Sequence, residues 1–335
     1  MSTAPTGTAR RMIAVAVLVP VIAALALWAF AWPAARTAPR DLPLGIAGPT
    51  AATAQVEKEL ARHGGAFELH HYKDGAAARD AIEDRTVYGA VVVTADGPEL
   101  LTASAASPVV AQLLQQAVAE QAAAEGTQVR TVDVVAAPAT DPRGAALGAS
   151  VLPLALAGMA AGAMVTFSGL RGTRAVLVLV GTSALVGVAA AGVADSWLGV
   201  IAGDWWAEAG VFALAALAVS GAVAGLAALL GTAGVGIVAG VIMLFGNPWS
   251  GAASAPQMLP EPAGMIGQWL PPGASATLTR SVAYFDGAAA TGPALTLAWW
   301  AALGLGAVLL GSALKDRKKS VEPVVTPERE LAPAG

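Results

Sequence analysis

Apolar and polar positions divide the chain into long uncharged runs and one mixed segment. The uncharged runs cover residues 12–32, 147–170, 175–194, 209–230, 232–246 and 294–314. A run of about 20 apolar residues crosses the hydrocarbon layer as a helix. The pattern therefore predicts an α-helical polytopic membrane protein with six transmembrane helices. Arg10 and Arg11 precede the first run, and Trp28 and Trp32 stand near its far end, where amphipathic rings settle at the membrane interface. That run is longer than the apolar core of a secretory signal, about 7–15 residues. It reads as an uncleaved anchor; the alternative is a signal peptide cut near Ala34 and Ala35.

Between the first two runs the periodicity changes. Residues 33–146 carry charge again, and short strand patterns alternate with helical ones. Strands are predicted at 42–47, 67–72, 88–94, 100–103 and 129–135, the third marked by three consecutive valines. Helices are predicted at 50–63, 75–85 and 108–124. The first places Val56, Leu60 and His63 on one face, and the last does so with Val109, Leu113, Leu114 and Val118. Alternating strands and helices imply an α/β domain with a small mixed sheet. Residues 136–143, rich in proline, aspartate and glycine, read as its linker.

Charge then orients the chain. Cytoplasmic loops collect lysine and arginine. With the N-terminus inside, the inner loops hold Arg10 and Arg11, Arg171 and Arg174, and finally Lys315, Arg317, Lys318 and Lys319. The opposite loops are an acidic, tryptophan-rich turn around Asp204 and a long segment, 247–293, whose one basic residue is Arg280. Both termini are expected in the cytoplasm, with the α/β domain outside it. The tail, 315–335, is expected to be disordered.

Composition adds exclusions. Only 13% of residues are charged, against about 25% in soluble domains. The net charge of −4 offers no basic face to nucleic acid. There is no cysteine, hence no disulfide or thiolate metal site. No G-x-x-x-x-G-K-[ST] loop is present, so ATP hydrolysis by that route is excluded. Neither a catalytic constellation nor a cofactor motif is found. His70 and His71 are adjacent on a predicted strand and point to opposite faces, which prevents joint metal chelation. The runs lack ionisable residues away from their ends, unlike ion-driven carriers. Three G-x-x-x-G spacings, Gly158 with Gly162, Gly221 with Gly225 and Gly236 with Gly240, are candidate helix-packing faces. The 247–293 segment is punctuated by proline and glycine; 265–270 is predicted as a short helix at or dipping into the outer leaflet, the alternative being a long exposed loop.

This layout resembles the permeases of ABC-2-type exporters, and within them the phage-infection-protein-like membrane proteins of Gram-positive bacteria. The resemblance rests on Asn247, Pro248, Ser250, Gly251, Leu259, Pro260, Leu270, Pro271, Gly273, Arg280, Tyr284 and Phe285. It rests also on the outer-domain runs 78–82 and 88–93. It implies a plasma-membrane homodimer or heterodimer, energised by a separate cytoplasmic ATPase and moving lipids, polymers or drugs outward. The chain departs from the family between the second and third runs: a coupling helix is usual there, and only residues 168–174 remain. An ATPase-free protein whose outer domain binds an envelope ligand, a phage or a partner is the other expectation.

Overall fold

The computed structural model describes residues 7–62, 64–95, 97–126 and 128–321. His63 and the tail beyond Val321 lie outside the described residues. The chain begins with α1 (Gly7–Ala35) and then forms β1 (Leu42–Ala47), α2 (Thr50–Ala61), β2 (Phe67–Tyr72) and α3 (Gly75–Glu83). Next come β3 (Gly89–Thr94), β4 (Gly97–Thr102), α4 (Pro108–Glu125) and β5 (Arg130–Asp133). The strands make one sheet in the order β2-β1-β3-β4-β5, parallel except for the β3–β4 pair. Leu42 and Leu44 of β1 turn to a core shared with Val110 and Leu114 of α4. Ala47, with Val92 of β3, joins Ala78 and Ile82 of α3 in a second core on the opposite face. Alternation along each strand supplies both. Two caps start the helices cleanly: Asp74 accepts from the Ala77 amide, and Ser107 from the Val110 amide.

The rest is helical: α5 (Ala145–Phe167), α6 (Gly172–Ala191), α7 (Trp205–Leu230), α8 (Thr232–Val241), α9 (Ala263–Trp269), α10 (Pro271–Tyr284) and α11 (Thr291–Val321). Five helices are long and apolar enough to cross a membrane: α1, α5, α6 with the π-helical turn that extends it to Trp197, α7, and α11 as far as Arg317. The chain is therefore a polytopic helical membrane protein carrying an inserted α/β unit. The remaining apolar run, Thr232–Gly246, joins α8 to a π-helical turn. It reaches about 22 Å at 1.5 Å per residue, short of the roughly 30 Å hydrocarbon layer.

Helix α7 is the hub, packed against α5, α6, α8, α10 and α11. Small residues let backbones meet there. A Cβ on Gly162 would stand 2.6 Å from the Ser220 carbonyl oxygen, and one on Gly158 would stand 2.8 Å from the Val219 side chain. Gly225 lies equally close to α11, where its Cβ would come within 2.4 Å of the Gly304 oxygen; Gly221 approaches the same helix more loosely. Gly236 and Gly240 differ, because nothing lies within 4 Å of a Cβ at either. They sit on the outward side of α8 and meet no other helix among the described residues. Ser183 and Ser220 add a buried hydroxyl contact of 3.3 Å between α6 and α7.

Two sequence-based boundaries move. Lys315, Arg317, Lys318 and Lys319 do not begin a disordered tail: α11 continues as helix through Val321, since nothing in 315–321 breaks it. The 247–293 segment is mostly helical, because α9 and α10 form a hairpin inside it.

Candidate functional site

The hairpin is the place where the α/β unit and the bundle meet. Pro271 and Pro272 open α10 at its first positions, where a missing N–H costs nothing. The helix then lies against α5, α7 and α11, with Ala274 and Leu278 packed on Val211, Ala215 and Ala218 of α7 and Leu297 of α11. The α9–α10 elbow sits deep. Trp300, about 14 Å along α11, donates its indole N–H to the Trp269 carbonyl at 2.8 Å. The far end of α10 returns to the loops, where the Tyr284 hydroxyl donates to the Val200 carbonyl.

The residues that carry the family resemblance gather in this knot. The Ser250 hydroxyl donates to the Asn247 carbonyl and accepts from the Ala252 amide. Gly251 adopts φ +68°, and a Cβ there would stand 2.8 Å from the Pro256 nitrogen, so both turn and space call for glycine. Gln268 donates to the Ser250 carbonyl and accepts from the Thr277 hydroxyl, tying loop to hairpin. A Cβ on Gly273 would meet the Gly267 oxygen at 2.2 Å. Leu259 is buried, Pro260 accepts from the Ala263 amide, and Pro248 is half-buried beside Trp249. Trp249 is buried as well: it packs edge-on against Trp28 and Trp32, and its indole donates to the Ala29 carbonyl of α1. This aromatic cluster is the main attachment of α1, whose apolar stretch is otherwise almost wholly exposed.

Residues of the segment also complete the α/β unit. Ala255 and Met258 belong to the core of Leu42, Leu44 and Leu100, and Phe285 to that of Ala78, Ile82 and Leu101. Arg40 donates to the Met258 carbonyl, and the Tyr88 hydroxyl donates to Gln257 at 2.9 Å. The strongest tie is Arg85. It closes α3 at φ +58°, an unfavourable conformation for arginine. Its guanidinium donates to the Thr277 carbonyl at 3.0 Å and to the Ser281 hydroxyl, and covers the Phe285 ring at 5.2 Å. Burial lowers the Arg85 pKa, partly offset by Tyr88, and the same burial raises that of Tyr88. Arg280 is buried within α10 and donates to the Ala252 carbonyl. It shares a narrow slot with Tyr284 and Asp141. Both carboxylate oxygens of Asp141 cap α5 by accepting from the Ala145 and Ala146 amides.

Sequence reasoning missed Arg85, Tyr88 and Met258 as contacts, since each reaches a partner more than 160 residues away. It also set Glu208 outside the membrane runs, whereas the residue lies in the first turn of α7, buried, with Oε1 accepting from the Gly203 amide. The topological cations fall elsewhere. Arg10 and Arg11 are exposed on the opening turns of α1, and Arg171, Arg174, Lys315 and Arg317 cluster at one end of the bundle. His70 and His71 stand apart, each 3.6 Å from a different glutamate. Among the described residues no group of histidine and acidic side chains could hold a metal. The arrangement is a mechanical junction.

Releasing that junction has a measurable outcome. Arg85→Asn keeps a residue tolerant of left-handed backbone and deletes the guanidinium. Losing two charge-assisted hydrogen bonds is expected to weaken docking by about 3 kcal/mol. Amide exchange should rise in β3 and at 281–286, while α7 keeps its protection; unchanged exchange at 281–286 would refute the assignment. Comparison of the chain with protein-family models, with curated proteins and with solved structures finds no match.

Proposed function

We propose that the chain is the membrane permease subunit of an ABC-type exporter, working as half of a homodimer or heterodimer and energised by a separate ATPase. The observation that carries the reading is the hairpin junction. Within one segment, α10 packs on α5, α7 and α11, while Ala255 and Met258 before the hairpin and Phe285 after it complete the two cores of the α/β unit. Movement of the bundle would therefore be felt by the outer unit, and the reverse. The chain has no phosphate-binding loop of its own, so energy for such movement has to come from another subunit.

In this reading Thr232–Gly246 is the sixth crossing, accommodated by local bilayer thinning. That count puts Arg10, Arg11, Arg171, Arg174, Lys315, Arg317, Lys318 and Lys319 on the cytoplasmic side, consistent with the positive-inside rule. The α/β unit and the hairpin then face outward, and the hairpin re-enters the outer leaflet from that side.

A second reading has its own support. The turn between α5 and α6 is only residues 168–171, which leaves an ATPase little to grip. In that reading the chain works without an ATPase, and its outer unit binds an envelope ligand, a phage or a partner protein. Purification of the chain together with candidate ATPases, any encoded beside it first, separates the two. The exporter reading expects a stable complex whose ATP turnover rises several-fold over the ATPase alone. Absence of a complex, or turnover indifferent to the chain, overturns it.

A further inference from the structure

The end of the bundle that carries Arg171 and Lys315 encloses a cavity of about 100 Å³ between α5, α7 and α11. Val165, Ala224, Ala227 and Val308 form its apolar walls, and Arg171 and Lys315 line it as well. A shallow bowl over residues 169–174 continues from it and adds Arg174. The volume is that of about three water molecules, comparable with one phosphate group. No ion pair is formed by Arg171, Arg174 or Lys315 among the described residues. Three exposed cations thus share this end of the bundle with no anion paired to them among the described residues, and a bound anion would relieve their mutual repulsion. Asp316 is the one acid next to them in sequence, and it is engaged in an interaction of its own.

The surroundings specify the anion further. Ser312 accepts from the Gly172 amide at 2.7 Å and thereby pins the α5–α6 turn to α11, which holds Arg171 beside Lys315. Helix α6 begins at this turn without any side-chain cap, so its first amides add to the positive potential. Met164, Phe167 and Leu177 neighbour the lining residues Val165, Thr166 and Ala175 along α5 and α6, line neither the cavity nor the bowl, and are each about two-thirds exposed. A ligand with its charge at the mouth of the cavity would have exposed apolar surface on both of these helices for its acyl chains. A free inorganic anion would leave that surface unused. Basic pockets between membrane helices are suited to anionic headgroups.

We propose that this cavity is a binding site for the phosphate of an anionic phospholipid, with Arg171 and Lys315 as its ligands and Arg174 at its rim. The proposal depends on the membrane placement of the bundle and not on the exporter reading.

The test uses the full chain in detergent, with phosphatidylglycerol and phosphatidylcholine supplied at equal concentration and lipid retention read by native mass spectrometry. The expected result is preferential retention of one phosphatidylglycerol per chain. The double variant Arg171→Gln/Lys315→Gln should lose that retention about tenfold or more, whereas Arg171→Lys/Lys315→Arg should keep most of it. Arg10→Gln/Arg11→Gln removes the same charge from α1, which does not line the cavity, and should leave retention within about twofold. Equal loss in both glutamine doubles would mean diffuse surface attraction and overturn the site. Equal retention of the two lipids would overturn it too. Displacement of the lipid by millimolar inorganic phosphate would mark a free-anion site and overturn the lipid assignment. A lipid-free melting temperature matching the parent chain confirms that the glutamine double is folded; if it is not folded, the lysine–arginine exchange and the two-lipid comparison still decide.

Discussion

Gly267→Ala is expected to break the hairpin away from its seat and lower the apparent melting temperature of the detergent-solubilised chain by about 10 °C or more. The reason is steric. A Cβ at this position would stand 1.7 Å from the Trp249 carbonyl oxygen and 3.2 Å from the Trp249 side chain. The near atom is backbone, so no rotamer change relieves the overlap, and either α9 or the 247–251 turn has to shift. Neither has room. Trp249 is clamped by Trp28, Trp32, Phe245 and its indole bond to Ala29, and the Gly267 oxygen itself presses on Gly273. A clash at a packed backbone crossing belongs to the exceptional class of substitutions, costing more than about 4 kcal/mol. Tryptophan fluorescence should report the change, because the indole cluster comes apart with the hairpin. Gly236→Ala is the companion measurement. Nothing lies within 4 Å of its new methyl group, and removing a helix glycine is worth at most about 1 kcal/mol in favour of folding. Its melting temperature should stay level or rise slightly. If Gly267→Ala melts within a degree or two of the parent, the close approach of α9 to Trp249 is wrong.

The contrast between these two glycines shows what the sequence can and cannot reveal. Both lie in apolar, glycine-rich stretches, and only Gly236 belongs to a recognisable spacing. The spacing at Gly158 and Gly162 faces α7, and that at Gly221 and Gly225 faces α11, whereas α8 packs by Gly234 and turns Gly236 and Gly240 outward. A G-x-x-x-G pattern records that a close approach is possible; which partner arrives is a property of the packed bundle. The α/β unit was far more legible. The strands predicted at Leu42–Ala47 and Phe67–Tyr72 coincide with those observed, the first as a short apolar run buried on both faces and the second by its alternation. Helix α10 was hidden for the opposite reason. Its start, Pro271, Pro272 and Gly273, has the composition of a turn, and its small polar residues carry no amphipathic signal. The segment is helical because three neighbouring helices bury it on nearly all sides, and such burial leaves no polar face to read.

Seen from the junction, the half-buried Arg85 and the buried Arg280 do different work. Arg85 reaches from the α/β unit into α10 and satisfies several groups, including a hydroxyl, a carbonyl and an aromatic face. Arg280 comes from α10 itself and has one hydrogen bond, to Ala252, with no ion pair among the described residues. Its side chain is only 5% exposed. A guanidinium so placed loses several kcal/mol of hydration, and one charge-assisted hydrogen bond returns about 2 kcal/mol. On these magnitudes Arg280 weakens the fold it sits in.

Arg280→Met should therefore leave the chain as stable as the parent, or more stable by about 1–3 kcal/mol, since an unbranched apolar side chain of similar length fills the same space without the hydration loss. The Ala252 carbonyl gives up its donor, which costs about 1–2 kcal/mol and limits the gain. Arg280→Ala should be destabilising instead, through the cavity it opens. On the exporter reading, the expected functional result runs against the stability result: with the hairpin intact but uncharged at this point, stimulation of an ATPase partner should fall about tenfold or more, as when a charge used only in an activated state is removed. Apparent melting temperature and ATP turnover, measured on one preparation, give both answers. A large drop in melting temperature for Arg280→Met would mean that the arginine holds the 250–255 loop in place and is structural. Full ATPase stimulation by a stable Arg280→Met chain would mean that the buried charge has no part in coupling, and the junction would then have to act through packing and Arg85 alone.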